Sequence, residues 1–331
     1  MTADVTLQTG ERVTMRAIQI SEYGGPEVLE PAELPEPEPR PGSTLIRVSG
    51  AGVNYADTHQ VENSYLSPTT LPLVPGGEVV GTAPDGRRVV ALLPFGGYAQ
   101  LATAADSLVF DVDDEVDDGQ ALSLVLQGVT AWHVLRTTCH IEKGETVVVH
   151  AAAGGVGSIA VQLARHYGAG TVIATASTPA KRRLALELGA DVAIDGSAEG
   201  LRDRIYEAAG GRGADVILEM VGGKVFDESV RALAPFGRLA TYGQASRRPP
   251  SLVDPGGLIA KSRTVGGFWL GHLYARPDLI AEPLRELMDL VVDGTVRPVV
   301  GGRYPLSEAR RAHEDLLGRA TTGKLVLDPE G

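Results

Sequence analysis

Between an apolar run, Thr146 to Val149, and a helix-like run, Val156 to Gly168, the chain reads HAAAGGVG, His150 to Gly157. Such a turn can hold phosphate. Glycine lets backbone N–H groups reach the anion with no Cβ in the way, and a helix N-terminus favours negative charge. The dinucleotide spacing G-x-G-x-x-G wants a first glycine where this chain has Ala152, while Gly154 and Gly157 keep register and Gly155 is added. Alanine serves there if its φ stays negative. Gly154 and Gly155 then open the backbone to a pyrophosphate, and Gly157 lets the helix pack closely on the strand. The plain alternative is a tight βα turn that holds nothing.

About twenty residues further on, at the end of the next apolar run, NAD sites usually place an acid for the ribose 2′-hydroxyl. Here the segment ATASTPAKRR, Ala174 to Arg183, has no acid. It offers the hydroxyl of Ser177 and the cation of Lys181, which suit a 2′-phosphate and so NADPH. The alternative for these cations is a solvated helix face, and for Arg182 and Arg183 that reading is preferred.

The surrounding elements are those such a loop requires. From about Gly128 to Gly243 strands and helices alternate, with strands expected over Thr146 to Ala151, Thr171 to Ala176, Asp191 to Asp195, Asp215 to Val221 and Arg238 to Tyr242. Val156, Ile159, Ala160, Leu163, Ala164 and Tyr167 form one helical stripe. Pro179 near the start and Gly189 past the end bound a second helix. Near-continuous apolar strands between helices imply a doubly wound parallel sheet. Residues 15 to 127 instead show short β-like runs punctuated by proline and glycine, the texture of an antiparallel domain. Asp85-Gly86 reads there as a hairpin turn. An amphipathic run, Leu306 to Leu317, and a last strand, Lys324 to Leu327, close the chain. The acidic run Asp111 to Gly119 matches no calcium-loop spacing and reads as a solvated loop before a helix.

A length of 331 residues suits about two domains. A net charge of −12 argues against nucleic acid or an anionic membrane as partner. No apolar run reaches the roughly 20 residues that span a bilayer, and the polar start lacks a signal peptide's apolar core; a cytoplasmic protein with a disordered or extended segment over 1–14 is expected. The single cysteine, Cys139, can make no internal disulfide, and a buried inert thiol is its expected state.

From Met15 onward the chain resembles the medium-chain dehydrogenase/reductase superfamily, in its zinc-independent quinone oxidoreductase branch. AGVNYADTH, GGYAQLA, LQGVTAWHVL, HAAAGGVGSIAVQLAR, ELGADVAID, GADVILEMVGG, GRLATYGQAS and RATTGKLVL occur in matching order. The resemblance implies an α/β chain with a GroES-like catalytic domain over 15–127 and 271–331 and a Rossmann domain over 128–270. It implies NADPH as cofactor and reduction of quinones or activated alkenes. It also implies a homodimer built by edge pairing near Thr264 to Leu270. Zinc-dependent relatives carry a cysteine where this chain has Asn54 and a histidine where it has Gly77, so no metal is expected. By the same resemblance Asn54 and Tyr65 face nicotinamide and substrate. Gln127, Thr130, Ala153, Gly154, Gly155, Val156, Gly157, Gly243, Phe268 and Leu270 contact cofactor, and Ser177, Lys181 and Arg319 form the 2′-phosphate shell. His59 stands where some relatives have tyrosine, with a place on the pocket rim as the alternative. Phe268 and Trp269 suit either pocket or core.

With no metal, charge developing on a quinone or enone oxygen must meet hydrogen-bond donors. Asn54 and Tyr65 are the candidates, Tyr65 as a polariser first and an acid second, because an ordinary phenol titrates near 10. Two other readings stand beside quinone or enone reduction: an enoyl reductase acting on a thioester or biosynthetic intermediate, and an NADPH-binding protein with a structural or regulatory role.

Overall fold

The computed structural model describes residues 13–331. Of the segment expected over 1–14, only Val13 and Thr14 are among these, and Thr14 already opens a strand. The first domain begins with the hairpin β1 (Thr14–Gln19) and β2 (Glu30–Pro35). The long β3 (Ser43–Val53) follows and runs into helix α1 (Tyr55–Val61). Next come β4 (Glu78–Thr82) and β5 (Arg88–Leu92), antiparallel about a tight turn in which Gly86 takes φ +85°, as Asp85-Gly86 predicts. β6 (Leu101–Ala105) and β7 (Val109–Asp111) complete this stretch.

The acidic run is not simply solvated. Asp117 caps the next helix by accepting from Gln120 N, while Asp111 and Asp118 pair with Arg87 and Arg88 at 2.5 and 2.8 Å. Arg87, just before β5, and Arg88, its first residue, need counter-charges, and the end of β7 and the start of α2 supply them. The helix capped by Asp117 is continuous from α2 (Asp118–Leu122) through a wider-wound stretch, Ser123–Gly128, to α3 (Val129–His133) and a second wide stretch, Val134–Thr138. A domain boundary at 127/128 therefore falls inside a helix that carries the chain from one domain to the other. Cys139 lies buried at its end, with burial pushing its thiol up to about 12, which makes it inert.

The second domain alternates β8 (Thr146–Val149), α4 (Gly155–His166), β9 (Thr171–Ala176), α5 (Pro179–Glu187), β10 (Val192–Asp195), α6 (Leu201–Ala208), β11 (Ala214–Glu219), α7 (Gly223–Ala232), β12 (Leu233–Thr241), α8 (Pro255–Ile259) and β13 (Thr264–Gly267). All pairings are parallel, in the order β10-β9-β8-β11-β12-β13. Val147, Val148 and Val149 are fully buried, as expected for a strand covered on both faces. The order reverses between β8 and β11, so the loop after β8 sits at the switch point where such sheets bind ligands.

Helix α9 (Asp278–Val292) departs from the expected division. Read as part of the catalytic domain, it packs against α3 and the end of α4: Trp132 Nε1–H and Tyr167 O–H both donate to Glu286, at 2.9 Å each. Its apolar stripe of Ile280, Leu284, Leu287 and Met288 needs cover, and the core of the second domain provides it. The chain then returns to the first domain with β14 (Val300–Pro305), α10 (Ala309–Leu317) and β15 (Lys324–Asp328). The larger sheet of that domain runs β14-β15-β3-β4-β5-β7, with β6 also on β3; β14 and β15 pair parallel and the other neighbours antiparallel. Among the described residues no helix is long and apolar enough to cross a membrane.

Candidate functional site

The loop after β8 is shaped for an anion. Its left-handed residue is Ala151, at φ +49°, one position before the expected alanine, and Gly154 N–H closes the turn on Ala151 O at 2.8 Å. Gly154 caps α4 without a side-chain bond, leaving the N–H groups of Gly155, Val156 and Gly157 without intrahelical acceptors. An added Cβ at Gly157 would meet backbone, and one at Gly155 would displace the Gln127 side chain. A Cβ at Gly157 would lie 2.3 Å from Ala151 O, and one at Gly155 would lie 2.1 Å from Gln127 Oε1. These open N–H groups beside a bare backbone fit a pyrophosphate. Buried Ala153 joins the loop to the other domain, accepting from Gly323 N–H at 2.8 Å.

At the end of β9, Ser177 is exposed and Thr178 caps α5, accepting from Lys181 N at 3.3 Å. Lys181 Nζ reaches across to the backbone oxygen of Arg319 at 2.8 Å. Partial burial and the Arg319 charge hold the Lys181 ammonium below its ordinary range. Arg319 is exposed, at φ +56°. Two cations from different domains thus meet at the start of α5. Arg182 is otherwise engaged, donating to Ala176 O and pairing with Asp195 at 3.1 Å, so it is not simply a solvated face; Arg183 is exposed.

Beside the start of α1 polar groups are buried. Asn54 caps α1, its N–H donating to Asp57 Oδ2 at 2.7 Å. Its side-chain amide donates to Glu78 Oε2 at 2.6 Å and accepts from Gln127 Nε2 and Lys324 Nζ, each at 3.1 Å. Lys324 also pairs with Glu78, and both are fully buried. Asp57 accepts from Tyr98 O–H at 3.0 Å, and that hydroxyl lies 2.9 Å from His313 Nε2. Burial, then the Glu78 charge, pushes the Asp57 carboxyl well above its usual range. Gln127 Oε1 is buried with no partner among the described residues. Thr130 bonds its own helix at Leu126 O, 2.7 Å.

Aromatic rings stand beside this cluster. Trp269 Nε1–H donates to Tyr65 Oη at 3.0 Å, which leaves the phenol its own proton to donate. Burial pushes that phenol up. His59 lies near-parallel to Tyr65, 6.4 Å away, with Nδ1 at 2.8 Å from Ser64 Oγ; burial, then Arg247, holds it below its ordinary range. Phe268 stacks on His133 at 5.3 Å, which favours the core reading for that ring, and Leu270 is buried. Gly243 lies exposed after β12. Tyr55 O–H donates across to Ala245 O at 2.8 Å. Glu219, at the end of β11, is buried and pushed up to about 7 by that burial, with its Oε1 accepting from Val221 and Gly222.

The structure therefore gathers Asn54 with Gln127, Tyr65 with Trp269 and His59, and Lys181 with Arg319. Sequence reasoning missed Glu78, Lys324, Asp57, Tyr98 and His313. A signal was present for two of them: Glu78 and Lys324 are opposite charges, each opening an otherwise apolar strand, and such residues are rarely buried unless paired. Among the described residues no three His, Cys, Asp or Glu side chains gather to hold a metal ion.

Comparison with known proteins agrees with this architecture. Residues 155–292 match the zinc-binding dehydrogenase family and residues 40–114 the alcohol dehydrogenase GroES-like domain. A quinone oxidoreductase of Pseudomonas aeruginosa is 36% identical over 325 residues, covering 95% of this chain and 99% of that one. A mycobacterial protein solved with NADPH superposes with a TM-score of 0.89 at 39% identity, covering 95% of this chain and all of its own. The Escherichia coli quinone oxidoreductase, also solved with NADPH, gives 0.89 at 30% identity with the same coverage. The chain belongs to the medium-chain dehydrogenase/reductase superfamily, in its quinone oxidoreductase branch, and is an oxidoreductase.

Proposed function

We propose that this protein reduces quinones, and conjugated enones or 2-alkenals of similar shape, at the expense of NADPH and without zinc. The observation that carries the reading is the set of groups around Asn54 and Tyr65: a buried amide, a proton-bearing phenol and neighbouring aromatic rings. The NADPH-bound relatives support the choice of cofactor. The Gly154–Gly157 cradle would hold the pyrophosphate, and Ser177, Lys181 and Arg319 the 2′-phosphate. Gln127, Thr130, Gly243 and the Phe268–Leu270 segment would border the nicotinamide. When bound, NADPH supplies a hydride from its nicotinamide C4, and the protein's part is position and electrostatics.

That part falls to few groups. One N–H of the Asn54 amide goes to Glu78, and the second has no acceptor among the described residues. That N–H and the Tyr65 O–H are the donors for a substrate oxygen as it gains charge. Because burial raises its pKa, Tyr65 keeps its proton and polarises, while the last proton comes from solvent. The rings of Tyr65, Trp269 and His59 offer apolar faces to a flat conjugated substrate. A homodimer would join along β13, a sheet edge with no partner strand beyond it among the described residues; Phe236 and Ile259 are exposed.

A steady-state panel of quinones, enones, enoyl thioesters and primary alcohols, run with NADPH, NADH or the oxidised cofactors, tests the reading. Quinones with NADPH are expected to turn over fastest. Preference for enoyl thioesters would move the protein to the biosynthetic reading, and NADPH binding without turnover to the regulatory one. Stoichiometric zinc with alcohol oxidation would overturn the account.

A further inference from the structure

Two fully buried opposite charges are not needed to close a β-sheet. Glu78 on β4 and Lys324 on β15 flank the same strand, since the order there is β15-β3-β4. They meet over Gly52 of β3, where a Cβ would lie 2.0 Å from Glu78 Oε1 and 2.6 Å from Lys324 Cε. Two residues later β3 passes into Asn54. The same strand thus supplies the gap the pair occupies and the amide the pair touches.

Buried ion pairs are usually no better for stability than apolar residues of similar volume. This one does not close on itself. Lys324 Nζ donates to Asn54 Oδ1 and Glu78 Oε2 accepts from Asn54 Nδ2, so carboxylate, ammonium and amide form a three-membered ring of contacts. The ring forbids an amide flip, because flipping would set Asn54 NH₂ against the ammonium and its oxygen against the carboxylate. The cation on the amide oxygen, with the second bond from Gln127, also draws charge from the nitrogen and strengthens its remaining N–H as a donor.

We propose that the Glu78–Lys324 pair is a positioning element for the reaction, holding the Asn54 amide in one orientation so that its free N–H meets the substrate oxygen. The proposal rests on the reading of Asn54 as a substrate donor. Neither charged residue touches the substrate; both act through the amide.

Removing one charge would leave the other buried and alone, so the pair is replaced together. The variants are Glu78→Gln/Lys324→Met, Asn54→Ala, and the three substitutions combined. Each is measured for melting temperature, NADPH affinity by fluorescence titration, and single-turnover reduction of a quinone at saturating NADPH. The pair replacement is expected to keep NADPH affinity and slow the turnover step roughly 10- to 100-fold, as loss of an outer partner of a functional side chain does. On the Asn54→Ala background the same replacement should change the rate by no more than about twofold, the limit of independent behaviour. An unchanged rate in the pair replacement overturns the proposal. So does a loss that multiplies fully with that of Asn54→Ala, because the pair then acts by another route. An unchanged rate in Asn54→Ala alone overturns the Asn54 reading instead, and that comparison does not involve the pair. If the double replacement fails to fold, Glu78→Asp serves: it keeps the charges balanced but withdraws the carboxylate from Asn54. It is expected to slow the step with NADPH affinity retained, and a wild-type rate would overturn the proposal.

Discussion

On the proposed reading, the groups that would hold the nucleotide are backbone N–H groups at the start of α4 and two cations, Lys181 and Arg319. At the proposed reaction end the polar groups are interior, and Asn54, Gln127, Glu78 and Lys324 hold one another in a single network. The two designs answer different demands. A phosphate brings its own charge and tolerates solvent, so open N–H groups and mobile cations suffice. A neutral substrate that becomes an anion only as it reacts needs donors fixed beforehand and shielded from water. Changes at the first end should therefore act locally on affinity, and changes at the second should spread through the network and act on rate.

The largest effect expected at the nucleotide end is from Gly157→Ala. The added Cβ meets Ala151 O and Ala152 Cα at 2.3 and 2.8 Å, and neither backbone atom can yield without moving the loop. NADPH affinity should fall about 100-fold, the equivalent of roughly 3 kcal/mol. A fluorescence titration within threefold of wild type would mean the loop is not the pyrophosphate site.

Gly155→Ala probes the seam between the two designs. Its Cβ would occupy the place of Gln127 Oε1, so Gln127 must withdraw and its bond to Asn54 is lost. A slower turnover step at saturating NADPH is expected, by roughly 30-fold. If only affinity changed, the two ends would be independent and Gln127 would have no part in holding Asn54. Lys181→Ala and Arg319→Ala should have smaller effects, each raising the KM for NADPH about tenfold and leaving that for NADH alone. Equal effects on both cofactors would move the 2′-phosphate elsewhere.

Legibility in the sequence followed the same division. The second domain was readable because its signals are local: apolar runs, a helical stripe at Val156 to Tyr167, Pro179 and Gly189 at helix ends. Each predicted strand appears, with β12 starting earlier, at Leu233. The glycine loop was likewise readable from spacing alone, though not the left-handed Ala151. The reaction end was not. Asn54 and Tyr65 entered only through resemblance, and the partners that hold Asn54 come from β4, β15 and the α2–α3 helix, as far as 270 residues away. No periodicity connects such residues; only the sheet order does. The placement of α9 was missed for a related reason: its sequence shows an apolar stripe but not which core will cover it.

The most direct test compares two variants, one from each end, in the same assay. NADPH affinity and the single-turnover rate of quinone reduction are measured for Asn54→Ala and Lys181→Ala. The account predicts that Asn54→Ala binds NADPH as wild type does and reduces quinone about 100-fold more slowly. It predicts that Lys181→Ala binds NADPH about tenfold more weakly and, once saturated, turns over at the wild-type rate. A wild-type rate in Asn54→Ala, or an equal slowing in saturated Lys181→Ala, would contradict it.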